Sequence, residues 1–185
     1  MKILAIIPAR GGSQRLRNKN IFPLWGKPMI YWVIKACKQS KFDIEVCIST
    51  ENEEISKIAH ELGSIVHKRD LKLADDKTYK QAVIRSAAKW YEESNGKQDI
   101  FISLQANSPE VKEKDLDKAI KTLLEYKKDE IFSADSRLMQ NAAFRIFKGD
   151  YVYQEDLSTN CGIYIRDLKD VHDINDIEFL EKKYE

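Results

Sequence analysis

Four cationic side chains, Arg10, Arg15, Arg17 and Lys19, share one short stretch with Gly11, Gly12 and Ser13. Glycines let a backbone come close to a ligand and turn successive N–H groups into a concave nest. Arginine and lysine beside such a nest match phosphate oxygens in charge and geometry. The chemistry this predicts is the binding and neutralisation of a polyphosphate. The stretch contains neither G-x-x-x-x-G-K-[ST] nor G-x-G-x-x-G, so it is not one of the two most familiar phosphate loops. A merely solvated basic turn is the plain alternative.

The elements around the stretch favour a binding loop. It is preceded by the apolar run Ile3-Leu4-Ala5-Ile6-Ile7, which suits a strand buried on both faces of a parallel sheet. Pro8 then stops further ladder pairing. A loop at the carboxyl end of such a strand lies where open α/β sheets bind ligands. Further strands are expected at 45–49, 64–67, 99–104, 130–134 and 159–165. Helices are expected to open at Pro28, after an Asn52 cap, after a Thr78-x-x-Gln81 capping box, across 114–126 and at the C-terminus. The runs 143–147 and 151–154 flank Gly149 and read as a β-hairpin. The alternation predicts an α/β, three-layer, mainly parallel sheet with a small β-hairpin extension, in one domain over 1–185.

The ordered string Pro8-Ala9-Arg10-Gly11-Gly12-Ser13, then Lys19-Asn20, then Pro23-Leu24-Trp25-Gly26-Lys27-Pro28, resembles the signature of the cytidylyltransferases that activate acidic sugars, the CMP-sialic acid synthetase family. The resemblance runs nearly end to end and implies a Rossmann-like sheet of the sugar nucleotidyltransferase type. It implies that CTP and an acidic sugar give a CMP-sugar and pyrophosphate with Mg2+ as cofactor. On that basis Arg10 and Lys19 are the expected catalytic cations. The expected nucleotide contacts are Ala9, Arg10, Gly11, Gly12, Ser13 and Asn20, with Arg69, Ala74 and Asp76 from the family's arginine and Leu-Ala-x-Asp loop. Gln105-Ala106-Asn107-Ser108-Pro109 is similar to the family's Gln-Pro-Thr-Ser-Pro, which makes Gln105 and Ser108 the expected sugar contacts. Asp173-Ile174-Asn175 stands for the family's Asp-Ile-Asp, two side chains on one face of an extended segment. Asp173 and Asn175 are therefore the expected metal ligands, with Asp176 in reserve; an asparagine oxygen ligates a hard cation without the charge.

Departures from the pattern matter as much. Gln14 stands where many members have lysine, Asp70 where they have proline, and Glu110-Val111 where they have Leu-Arg. The family's dimerisation arm, which reaches the partner's sugar site, is cut back here to about 136–158. A homodimer through the hairpin at 144–153 is the expected assembly, with a monomer as the alternative. A nine-carbon nonulosonic acid (sialic, legionaminic or pseudaminic) is the favoured acceptor, with an octulosonic acid or a phosphonate as alternatives. Gln14, Asn175 and the short arm also admit a member that binds nucleotide or sugar without turnover.

Composition narrows the field further. A net charge of +1 over 185 residues weighs against a nucleic-acid binder, and the basic stretch lacks interleaved aromatics. No apolar run approaches a bilayer span, and no signal-peptide pattern follows Met1. Cys37, Cys47 and Cys161 are odd in number, lack metal-ligand spacing and read as small core residues of a cytoplasmic protein.

Overall fold

A computed structural model describes residues 1–75 and 77–184; Asp76, one of the expected nucleotide contacts, lies outside the described residues. The central strand β1 (Ile3–Pro8) is apolar along its whole length because both of its faces are covered. A two-residue ribbon, β2 (Pro23–Leu24) and β3 (Lys27–Pro28), leads into helix α1 (Met29–Lys38). Strand β4 (Ile44–Thr50), helix α2 (Glu53–Glu61), strand β5 (Ile65–Lys68), helix α3 (Lys80–Asn95) and strand β6 (Ile100–Leu104) follow. Helix α4 (Glu113–Glu125), strands β7 (Glu130–Ala134), β8 (Gln140–Lys148) and β9 (Cys161–Ile165), and helix α5 (Ile174–Lys183) complete the chain.

The seven-stranded sheet has the order β5-β4-β1-β6-β8-β7-β9. Every pairing is parallel except those of β8, which runs antiparallel to both β6 and β7. Connections leave β1 toward β4 on one side and meet β6 on the other, so the strand order switches at β1. Ligands bind outside the carboxyl ends of strands at such a switch. The predicted α/β architecture is therefore the observed one.

Three apolar clusters hold the layers. Ile3, Ala5 and Ile7 pack against Val33 and Ile34 of α1 and Ile120 of α4 on one face of the sheet. Leu4, Ile6 and Phe101 pack against Ile84 and Ala88 of α3 on the other. The third cluster sets the site: Leu16, inside the basic stretch, packs with Val171, Ile177 and Leu180 around α5. Burial pushes the Cys37 and Cys47 thiols up to about 12, so both are inert core residues.

Three local expectations are corrected. The hairpin at 143–154 does not form. Strand β8 is interior, with Phe144 and Phe147 buried, and residues after it close into a 3-10 turn, Gly149–Tyr153. The Gly149 N–H donates to Asp99 O at 2.7 Å, and Gln81 Nε2 of α3 donates to Val152 O at 2.9 Å. The tyrosines at 151 and 153 thus pack on the helix instead of forming a strand. The Thr78–Gln81 capping box fails for the same reason: Gln81 is used by Val152, and the Thr78 hydroxyl bonds Asp75 Oδ1 at 2.6 Å. Pro28 caps α1 and is not its first helical residue, because Trp25 and Gly26, at φ 49° and 73°, turn β2 back into β3.

Glu130 on β7 is 1% exposed and held by the Arg145 guanidinium of β8 and by the Ser158 N–H. Arg145→Met would leave that carboxylate buried with one neutral donor. It is expected to cost about 3–5 kcal/mol in a urea titration, whereas a loss below about 1 kcal/mol would assign the pair the modest weight of a surface bridge.

Candidate active site

The loops that follow β1, β5 and β6 meet at one edge of the sheet and line a cavity of about 280 Å³. After β1 the chain contributes Arg10, Ser13, Lys19 and Asn20; after β5 it contributes Arg69, Asp75 and Thr78; after β6, Gln105 and Asn107; and Lys80 opens α3 beside them. Five of the expected contacts (Arg10, Ser13, Lys19, Asn20 and Arg69) thus line one wall, joined by Gln105.

The glycine turn is built differently from the expected open nest. The Gly11 N–H donates to Glu51 Oε1 at 2.7 Å, and the Ser13 N–H donates to Gly11 O at 3.0 Å. A Cβ at Gly11 would meet Asn52 Nδ2 at 2.5 Å and Asn52 Cβ at 3.0 Å, whereas one at Gly12 would meet nothing within 4 Å. Gly11 therefore serves close packing on the turn after β4, and its N–H is already satisfied. Gly11→Ala is expected to shift the loop and weaken CTP binding while Gly12→Ala leaves binding near wild type; equal behaviour in a CTP titration would contradict this placement.

Side chains then lock the loop. Asn20, 7% exposed, donates from Nδ2 to Arg10 O at 2.9 Å, so it fixes the loop beside the cavity. The Arg69 guanidinium donates to Ser49 O and lies 3.7 Å from Glu51 Oε2, an ion pair that leaves that buried oxygen without a hydrogen bond. Partial burial holds the Lys19 ammonium below its usual value, with Arg15 and Arg10 adding to the effect and Asp170 and Asp176 opposing it. A cation held among cations gains most when a polyanion arrives.

Asp170 is the residue that sequence reasoning missed. It follows β9 in an extended segment laced to the β6 loop: the Val171 N–H donates to Asn107 O and Asn107 Nδ2 donates to Val171 O, both at 2.8 Å. Its carboxylate accepts from the Ser108 hydroxyl and, at 3.3 Å, from Gln105 Nε2. Desolvation raises its pKa against the pull of Ser108, His172, Lys80 and Lys19. Ser108, fully buried, thus positions an acid and does not face the cavity, and Gln105 shares that task.

Other expected residues have different work. Ala9 is fully buried, its N–H on Ser49 O at 3.0 Å, and Ala74 closes the 71–73 turn, off the cavity wall. Asp173 and Asn175 do not share an extended segment. Asp173 caps α5, accepting from the Asn175 and Asp176 N–H groups, and Asn175 is an exposed residue of the first turn. Asp176 completes the capping box and pairs with Lys169 at 2.7 Å. The i, i+2 pair in the extended segment before the helix is Asp170 and His172, three residues earlier.

Comparison with known proteins agrees with this geometry. A family model described as cytidylyltransferase matches residues 4–177. The pseudaminic acid cytidylyltransferase of Campylobacter jejuni is 32% identical over 158 residues, 84% of this chain and 68% of its own length. The N-acylneuraminate cytidylyltransferase A of Danio rerio is 36% identical over 135 residues, 73% of this chain but 30% of its own length. A solved CMP:2-keto-3-deoxy-manno-octonic acid synthetase complexed with CTP superposes with a TM-score of 0.79 at 15% identity, over 100% of this chain and 98% of that one, which shows the fold. With the basic loop at the switch point of this sheet, those matches show that the chain belongs to the cytidylyltransferase family, among its CMP-sialic acid synthetase-like members.

Proposed function

We propose that the chain transfers CMP from CTP to an acidic sugar of the nonulosonic class, in the cytoplasm, and releases pyrophosphate. The observation that carries this reading is the cleft lined by Arg10, Lys19, Arg69 and Lys80 at the carboxyl edge of the sheet, with Asp170 bonded to Gln105 of its wall and within electrostatic reach of Lys19 and Lys80. An acceptor hydroxyl oxygen attacks the α-phosphorus in line and releases its proton to water. The bond from that phosphorus to the β-bridging oxygen breaks, and pyrophosphate departs with the electrons. Arg10 and Lys19, aimed from the loop, neutralise charge gathering on the phosphates. Asn20 holds the loop in register, and the Ser108 hydroxyl orients Asp170.

Among the described residues no group of three or more His, Cys, Asp or Glu could hold a metal ion alone. Magnesium, however, is usually held by one or two carboxylates together with substrate phosphates. Asp170, which forms no salt bridge among the described residues and lies within electrostatic reach of Lys19, fits that donor set. Bound there, Mg2+ would supply charge neutralisation across the phosphates.

The direct test is pyrophosphate release from CTP, with and without Mg2+, against sialic, legionaminic, pseudaminic and octulosonic acids and a phosphonate. Metal-dependent release with a nonulosonic acid is the expected result. Release only with the octulosonic acid or the phosphonate would reassign the acceptor. CTP binding without release for any acid would favour a binding-only member, a reading to which the Glu51 carboxylate on Gly11 gives some footing. Because 144–153 is no projecting hairpin, a homodimer has to use another surface. The edge strand β9, with Ile163 and Ile165 exposed near Leu138 and Met139, is the surface we propose for it, and sedimentation decides the matter.

A further inference from the structure

Beyond Lys80 lies a second cavity, about 510 Å³, between the start of α3 and strands β6 and β8. Its volume is in the range of small-molecule sites. Among the described residues, Lys80 is the one that lines both this cavity and the phosphate cleft. Ser103 of β6 lines the second cavity too; it is 1% exposed, and its Oγ has no hydrogen-bond partner. Buried hydroxyls are nearly always paired, so one left open on a cavity wall points to a ligand that pairs it. The cavity's other cation, Arg145, already holds Glu130.

Lys80 is placed by the fold. It is the first residue of α3, and its Nζ donates to Ala142 O at 3.1 Å, one of the three hydrogen bonds an ammonium can make. Desolvation pushes the ammonium down to about 8, with Asp170 attracting it and Arg145 repelling it. It remains charged at neutral pH with donors to spare, facing a cavity that holds an unpaired hydroxyl.

We propose that the second cavity receives the acceptor and that Lys80 binds the acceptor's carboxylate where the two cavities join. This rests on the transferase reading above. In a 2-keto sugar acid the carboxylate and the attacking hydroxyl sit on one carbon, so a cation that grips the first also places the second. Lys80 stands where a bound nucleotide and a bound acid meet, which lets one contact both select an acid over a neutral sugar and orient it. The Ser103 hydroxyl then faces the polyhydroxylated remainder of the acceptor.

The test is a calorimetric titration of the full chain with N-acetylneuraminic and pseudaminic acids and with the neutral C1 methyl ester of each. Wild type is expected to prefer acid over ester by about tenfold or more, the loss of one charge-assisted contact. Lys80→Met should bind acid and ester alike, and Lys80→Arg should keep part of the preference. In wild type the preference should fade as pH rises through about 8, because the ammonium loses its proton while the carboxylate keeps its charge. That pH series needs no variant and stands even if Lys80→Met fails to fold. Acid preference surviving in Lys80→Met, or no preference in wild type, would overturn the proposal. Failure of pyrophosphate release would instead overturn the transferase reading and leave the acid–ester comparison intact.

Discussion

An Asp170→Asn variant is expected to lose about 10²–10³ in pyrophosphate release from CTP, with no loss of folded stability. The two halves of that expectation come from one fact. The Asp170 carboxyl has its pKa raised by desolvation, so the fold disfavours its charge. A carboxyl whose pKa is higher folded than unfolded binds protons more tightly in the native state. Stability then falls as pH rises from the unfolded value through the folded one, and the cost persists above the folded value. Asparagine keeps an oxygen for the Ser108 hydroxyl and removes that cost, so the urea midpoint at pH 7 should stay or rise. A charge kept against its own stability is the mark of a functional group. A variant that retains activity, or one that unfolds, would show Asp170 to be structural.

Arg10→Ala and Lys19→Ala are each expected to cost a similar factor, about 10²–10³ in turnover, while Arg17→Ala changes little. All three lie in the same stretch, but Arg10 and Lys19 line the cavity and Arg17 is exposed away from it. The comparison separates aimed charge from net charge: a general electrostatic attraction would make the three variants alike. The double variant should lose less than the product of the single losses, because both cations act on one triphosphate. Circular dichroism should be unchanged, since Leu16 and the Asn20 side chain hold the loop. Wild-type-like turnover in either single variant would remove that residue from the chemistry.

The most legible part of the site in the sequence was the part encoded in contiguous residues. Ile3 to Ile7 can only be an interior strand, Pro8 can only end it, and glycine beside arginine has few other uses at such a place. Asp170 was hidden by its neighbours. Within Arg166-Asp167-Leu168-Lys169-Asp170 the charges alternate as on any solvated loop, and only the Val171–Asn107 bonds turn one of them inward. At Asp173 the pattern resembles a metal pair, but an aspartate two residues before two free N–H groups is also a helix cap, and in this fold Asp173 caps α5. At 143–154 local strand propensity was genuine for β8, and the helix α3 beside it claimed the rest. Lys80 could not be singled out at all, since its meaning lies in two cavities that the chain closes from five separate segments.

The most direct test is the structure of the chain with CTP bound. The account predicts the triphosphate in the cleft among Arg10, Ser13 and Lys19, with its α-phosphorus turned toward Lys80 and Asp170. A triphosphate bound elsewhere, such as the opposite end of the sheet near Met1, Asp43 and Tyr91, with Glu51 still closing the glycine turn, would contradict it.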